Sequence, residues 1–286
     1  VSTLEARDYQ PSALGGSARR FWELTATLAV SEFKLRYFGS ALGYVWSLMR
    51  PLLFFGVLYL FFTQIVHVGR GVPHYGVYLL TSIVLWNYFG EATTGSVTSL
   101  ISRESLLRKI HFPRMAIPLS VSLTALFNLV MNFIAVVAFA LLNGVSPKLS
   151  WLELFPIVLG FVILATGFGM LLSAAYVRFR DVQPIWEVVA QAWFYCTPIM
   201  YVASYYEKTG AVDKFGHNLV KFAMINPPAA LLTQMGHAVI GGKAFPSVVT
   251  VGGLPSCLAA LALIVVAFGV GWRFFIREAP RVAENL

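Results

Sequence analysis

Charge is what this chain has least of. Only 12% of its 286 residues are Asp, Glu, Lys or Arg, while 58% are hydrophobic and the mean hydropathy is +0.72. No soluble fold of this length could hide so much apolar surface. The two cysteines, Cys196 and Cys257, fall in or beside apolar runs. They read as small buried apolar residues and do not report a redox compartment. A phosphate-binding loop is missing too: Gly242-Lys243 is followed by Ala244, with no glycine five residues before Gly242. His67, His74, His111, His217 and His237 never take the HExxH spacing or pair with a cysteine, so no metal site is expected. Glu91 and Glu187 are the main carboxylates inside apolar runs. An ion-coupled transporter or proton pump strings several ionisable groups along its path, and an enzyme clusters an acid, a base or a metal. Neither pattern is present, so no catalytic residue and no bound cofactor are predicted. A chain with no energy source of its own borrows one.

Long apolar runs are what the chain does have. A bilayer core of about 30 Å needs about 20 apolar residues per helix, and lipid leaves no partner for open backbone groups. The predicted fold is an all-α polytopic membrane protein with six transmembrane helices. They are placed at Tyr44–Val66, Tyr75–Val97, Ala116–Leu142, Leu154–Tyr176, Pro184–Tyr201 and Leu254–Ile276. Fifteen Arg and Lys residues fall on the segments placed inside and six on those placed outside. That bias predicts a multi-pass protein of the cytoplasmic (inner) membrane with both termini cytoplasmic. It also accounts for most of the net charge of +8, with attraction to anionic lipid heads, and disfavours nucleic acid as a partner. The first twenty residues have no apolar core; no cleavable signal peptide is expected, and the first span serves as the insertion signal.

Along the chain, residues 1–16 read as a disordered tail, with Pro11, Gly15 and Gly16 before any periodic pattern. Residues 17–38 form an amphipathic helix. Glu23, Thr27, Ser31 and Lys34 make its polar stripe, opposite Phe21, Trp22, Leu24, Leu28, Ala29, Phe33 and Leu35. Such a helix lies in the membrane surface or packs on the cytoplasmic side of the bundle. Residues 39–286 form one transmembrane domain with no appended soluble domain. Arg50 and Pro51 interrupt the start of its first span; a charge there either serves a function or snorkels to the interface. In the fifth apolar segment Glu187 and Gln191 share a helical face, as do Trp186 and Trp193, which suggests an interior wall.

Two further stretches stand out. RESLLRKIHFPR, from Arg103 to Arg114, is a basic island between two spans. Leu106, Leu107 and Ile110 recur in it at near-helical spacing, so it reads as a short cytoplasmic helix closed by Pro113. Residues 202–253 form the one long external region. Its NPPAALLTQMGHAVIGG is apolar but too short to cross, which suggests a re-entrant or interfacial helix between Pro227-Pro228 and Gly241-Gly242.

KLRYFGSALGYVWSLMRPLL, RESLLRKIHFPRMAIPLS, VRFRDV, CTPIMY and NPPAAL follow one another in that order. Together they resemble the membrane subunits of ABC exporters for polysaccharides, the permeases for O-antigen, capsule, teichoic acid and galactan precursors. The resemblance covers about residues 20 to 277. It implies a homodimer around a central channel, with two copies of a separate ABC ATPase beneath that carry the ATP and magnesium. It makes 17–38 the interface helix, 103–112 the coupling helix and 202–253 the external gate region with re-entrant helices. Arg103, Leu106, Leu107, Arg108, Lys109, Ile110 and His111 are the ATPase-coupling residues it points to. The implied cargo is a polyprenyl-diphosphate-linked polysaccharide or polyol phosphate, moved outward.

Aromatic faces give sugar rings apolar contact without fixing their sequence. Trp46, Phe54, Phe55, Tyr59 and Phe62 on the first span are candidates for a polymer channel, with Trp186, Trp193, Phe194 and Tyr195 on the fifth. Roughly half of the nine are expected to face it, since spans carry aromatics for packing as well. The lipid diphosphate needs cations at the inner leaflet, and Lys34, Arg36 and Arg50 flank the first span. Two other functions stay open: an ABC permease for a small lipid or drug, and an ATP-independent polyprenyl-lipid flippase or membrane enzyme.

Overall fold

The computed structural model describes residues 18–37, 41–69, 71–103, 113–202 and 218–285. Among them every regular element is helical. Helix α1, Ala18–Tyr37, buries Phe21, Thr25, Ala29 and Tyr37. These residues are spaced by multiples of four, so one narrow stripe faces the bundle. The predicted polar stripe is exposed, but Trp22 and Leu35 are exposed as well.

Helix α2, Ala41–Leu60, runs through Pro51 and ends in a wider π turn at Phe61–Ile65. Helix α3, Tyr75–Val97, is the centre of the bundle, buried on nearly every side. A short turn, α4 (Ser99–Ser102), leads to the basic segment. Helices α5 (Ala116–Leu142) and α6 (Leu154–Arg178) then complete the packing around α3.

Four stretches are long and apolar enough to cross a membrane: Val45–Ile65, Ala116–Leu142, Leu149–Arg178 and Val248–Glu278. The other two predicted spans differ for separate physical reasons. Helix α3 has the length, 23 residues, but carries Thr81, Ser82, Asn87, Glu91, Thr93 and Ser96. A helix wrapped by other helices need not be apolar, and its hydroxyls bond back to their own helix: Thr81 to the Val77 carbonyl, Thr93 to Phe89 and Ser96 to Ala92, each at 2.7 Å. Helix α7, Val182–Cys196, has only 15 residues, which is about 22 Å. The span predicted to reach Tyr201 stops at Cys196, because a residue before proline avoids the helical region and Thr197 before Pro198 is extended (φ −101°, ψ 138°). The chain beyond is pinned to α3 instead, where Tyr75 and Tyr78 donate to the carbonyls of Met200 and Pro198.

Helices α8 (Asn218–Ala223) and α9 (Pro227–Val239) occupy part of the predicted external region. The latter starts with two prolines in its first turn and is buried along most of its length. Its free carbonyls are claimed by a 3₁₀ turn at Leu149–Glu153 and the residue before it. Ser150 Oγ donates to Ala238 at 2.7 Å, Trp151 Nε1 to Val239 at 3.2 Å and Lys148 Nζ to Ile240 at 3.4 Å. Gly241 and Gly242 follow with positive φ. At about 20 Å, α9 is too short to cross, as its sequence implied. Helix α10, Val248–Asn285, breaks at Gly253 (φ 79°) and then runs past Ile276, the predicted end of the last span.

Helices α6 and α10 cross at Gly167 and Gly271. Small residues at such a crossing let two backbones touch, the main route to tight helix contact where lipid surrounds the bundle.

Candidate functional site

Helix α3 has one uncovered stripe. Asn87, Gly90, Glu91, Thr94 and Gly95 lie along it, and all five line a cavity of about 750 Å³. The spacing of three and four residues puts them on one helical face. Arg36 and Tyr37 of α1 close one side, Trp46, Ser47 and Arg50 of α2 a second, and Asn128 and Asn132 of α5 a third. The volume lies within the range of small-ligand sites, but the lining is far more polar than the helices around it.

One network organises the wall. Arg36 Nη1 donates to Glu91 Oε1 in an ion pair. Asn128 Nδ2 donates to the same oxygen at 2.6 Å, and Tyr37 Oη donates to Asn128 Oδ1 at 2.8 Å. Asn132 Nδ2 donates to the Asn128 carbonyl at 2.8 Å. Burial alone would lower the pKa of Arg36, but the Glu91 carboxylate outweighs it and the pKa is raised. Arg36 is therefore a permanent cation with a fixed partner. Arg50 makes no ion pair with any described carboxylate.

A second ion pair lies next to the first along α1. Arg103 Nη2 donates to Glu32 Oε2, and its Nη1 donates to Ser120 Oγ at 2.8 Å. Glu32 and Arg36 are one helical turn apart on α1, so one face of that helix is tied to Arg103 and to α3. Arg114, at the far end of the basic island, is partly buried, which lowers its pKa.

The predicted site residues fall into distinct places. Arg36 and Arg50 both reach the cavity, whereas Lys34 lies on the exposed face of α1 and does not line it. Arg103 is placed as above. Leu106, Leu107, Arg108, Lys109, Ile110 and His111 lie outside the described residues, as do residues 1–17 and 203–217. Of the nine aromatics, Trp46 (64% exposed), Phe54, Tyr59 and Tyr195 (61%) are open. Phe55 and Trp186 are buried in the core instead, Trp186 stacked on Phe168 and donating to Thr93 Oγ1 at 3.2 Å. Phe62, Trp193 and Phe194 are partly covered.

Helices α2 and α7 meet through Phe54 and Phe194, whose ring centroids are 6.3 Å apart. Their outer faces stay uncovered, with Trp46, Leu53 and Val57 exposed on α2 and Ile185, Val188 and Tyr195 on α7. Glu187 and Gln191 are exposed on the face of α7 away from Trp186 and Trp193. Asn87, Thr94, Asn128 and Asn132 are not among the sequence-predicted site residues, although 87, 91 and 94, like 128 and 132, recur at helical spacing.

An all-helical bundle of apolar helices, with a polar cavity between them and a pair of helix faces left open, defines a multi-pass membrane protein. Residues 23–207 match the ABC-2 type transporter family, and the chain belongs to that family. Two relatives from Klebsiella pneumoniae, each an O-antigen export system permease protein RfbA, are 32% identical over 183 residues, covering 64% of this chain and 70% of theirs. A Myxococcus xanthus protein of the same name is 29% identical over 213 residues, covering 74% of this chain and 78% of its own. The motif-based resemblance to permeases of polysaccharide exporters is thereby borne out.

Proposed function

We propose that this chain is the membrane-spanning subunit of an ATP-driven exporter that carries a polyprenyl-diphosphate-linked polysaccharide or polyol phosphate outward across the cytoplasmic membrane. The similarity to O-antigen export permeases carries this reading. Helix α3 and the short α7 serve as the second and fifth of six spans, α3 shielded by its neighbours and α7 completed by the segment it shares with Tyr75 and Tyr78. The termini lie in the cytoplasm, as the basic residues suggest.

Two copies pair through the open faces of α2 and α7 and enclose a channel walled by Trp46, Phe54, Tyr59 and Tyr195. Helix α9 and the segment before it form the external gate. Two copies of a cytoplasmic ABC ATPase bind beneath, on α1 and on the basic segment that begins at Arg103. Arg50 takes the lipid diphosphate, with Lys34 guiding it and Arg36 held in reserve by Glu91.

Deleting the gene in its host tests the reading. Finished lipid-linked polymer should accumulate inside the cell while its surface loses the polymer, and Arg108→Glu/Lys109→Glu should fail to restore export. Loss of polymer synthesis would instead make the protein an enzyme of the assembly route, and normal export by that double variant would remove the coupling role.

A further inference from the structure

Three features of the cavity remain unused by a diphosphate held on Arg50. Asn87 is exposed on the uncovered stripe of α3, and its amide has no hydrogen-bond partner among the described residues. Its amide can therefore donate to and accept from a ligand without giving up any bond to the described residues. Glu91 uses only Oε1, taken by Arg36 and Asn128, and Oε2 accepts from no described residue. Gly90 lines the same cavity, and a Cβ built there would meet nothing within 4 Å. The glycine is thus not required by helix packing, unlike Gly167 or Gly271, although glycine inside a helix is disfavoured. What its missing side chain leaves is room in the cavity.

An amide, a carboxylate oxygen held by neighbours, a hydroxyl at Thr94 and an open indole at Trp46 are the groups that bind a sugar. The polar atoms meet ring hydroxyls and the indole covers an apolar ring face. Arg50, a cation without an ion-pair partner among the described residues, borders the same cavity. We propose that the α3 stripe of Asn87, Gly90, Glu91 and Thr94, with Trp46, is a saccharide subsite that reads the first sugar of the lipid-linked glycan beside the diphosphate. Tyr37, Asn128 and Arg36 position the Glu91 carboxylate from behind, leaving Oε2 for the ligand. This inference rests on the export reading above and adds to it a place where the glycan's first residue is checked.

The test uses the full chain in complex with its ATPase, in lipid nanodiscs. The probes are bare polyprenyl diphosphate and polyprenyl diphosphates carrying one hexose, one N-acetylhexosamine or one deoxyhexose, with affinity read by native mass spectrometry. The natural protein should prefer at least one sugar-bearing probe to the bare one by about tenfold, the gain expected from one or two hydrogen bonds. Asn87→Ala and Gly90→Leu should each abolish that preference and leave affinity for the bare diphosphate within about twofold. Arg50→Ala should weaken all probes alike. A Cβ at residue 90 meets nothing within 4 Å, and a melting temperature close to that of the natural protein checks that Gly90→Leu keeps the fold. Equal binding of every probe by the natural protein, or a preference retained in both variants, overturns the subsite and leaves the export reading standing. Binding of none of the probes overturns both.

Discussion

The Cα of Gly271 packs directly against the backbone of Gly167, so closely that a Cβ on Gly271 would stand 2.0 Å from the Gly167 carbonyl oxygen. The reverse substitution fares little better, since a Cβ on Gly167 would lie 2.6 Å from the Phe268 Cα. Backbone cannot yield as a side chain can, so the two helices must separate. Gly271→Ala should therefore lower stability by about 1–3 kcal/mol, as overpacking does. Gly269 supplies the control, because a Cβ there meets nothing within 4 Å. Gly269→Ala should be neutral or slightly stabilising. Thermal melts of the three proteins in one detergent decide it; equal melting of both variants would mean the crossing is looser than described.

The Arg36–Glu91 pair predicts a coupling rather than two independent losses. Removing either partner leaves the other charge next to Asn128 without its counter-ion. Both side chains are partly open, which limits the interaction. A double-mutant cycle with Arg36→Gln and Glu91→Gln should give a coupling of about 1 kcal/mol in favour of the pair. Strictly additive melting shifts would show that the two groups do not interact.

Glu32 and Arg103 tie α1 to the residue at which the basic segment begins. If the ATPase pushes on that segment, the tie passes the motion to α1. Glu32→Arg and Arg103→Glu should each reduce export several-fold, and the double exchange should recover a good part of it. Surface polymer measured in a complemented deletion strain gives the readout. A double exchange no better than either single change would argue that Arg103 acts through Ser120 or another contact instead.

Asn226 holds the start of α9 to the end of α7. Its Oδ1 accepts from Trp193 Nε1 at 2.8 Å and its Nδ2 donates to Thr197 Oγ1 at 3.2 Å. Asn226→Leu leaves the indole N–H without its acceptor and should cost about 1–3 kcal/mol. Limited proteolysis should then cut the chain between α7 and α9 faster than in the natural protein. An unchanged rate would place the anchor of that region elsewhere, for example at Tyr75 and Tyr78.

Much of this fold was legible because its signals are local. The runs at 75–97 and 116–142 have the boundaries their flanking residues suggested. The Pro-Pro start and Gly-Gly end of α9 likewise bracketed a helix too short to cross. Hydropathy carries the apolar run on to Tyr201, but the restriction that Pro198 puts on Thr197 ends α7 at Cys196. The site was harder to see. Arg36 was readable as a cation near the membrane, but nothing local shows that its partner is Glu91, 55 residues away. Trp186 and Trp193 share a face in the sequence, yet only tertiary packing shows that this face meets Phe89 and Phe168. The polar stripe of α3 was within reach of the helical period. The apolar residues that surround it on the same run mask it.

ATP-driven movement of a lipid-linked glycan is the central claim. The chain and its ATPase, reconstituted in liposomes with a fluorescent polyprenyl-diphosphate oligosaccharide on the side where ATP is added, give the direct measurement. The account predicts that the label reaches the opposite side only when ATP and magnesium are present, and that a hydrolysis-dead ATPase stops it. Movement at the same rate without ATP, or with the ATPase omitted, would contradict it.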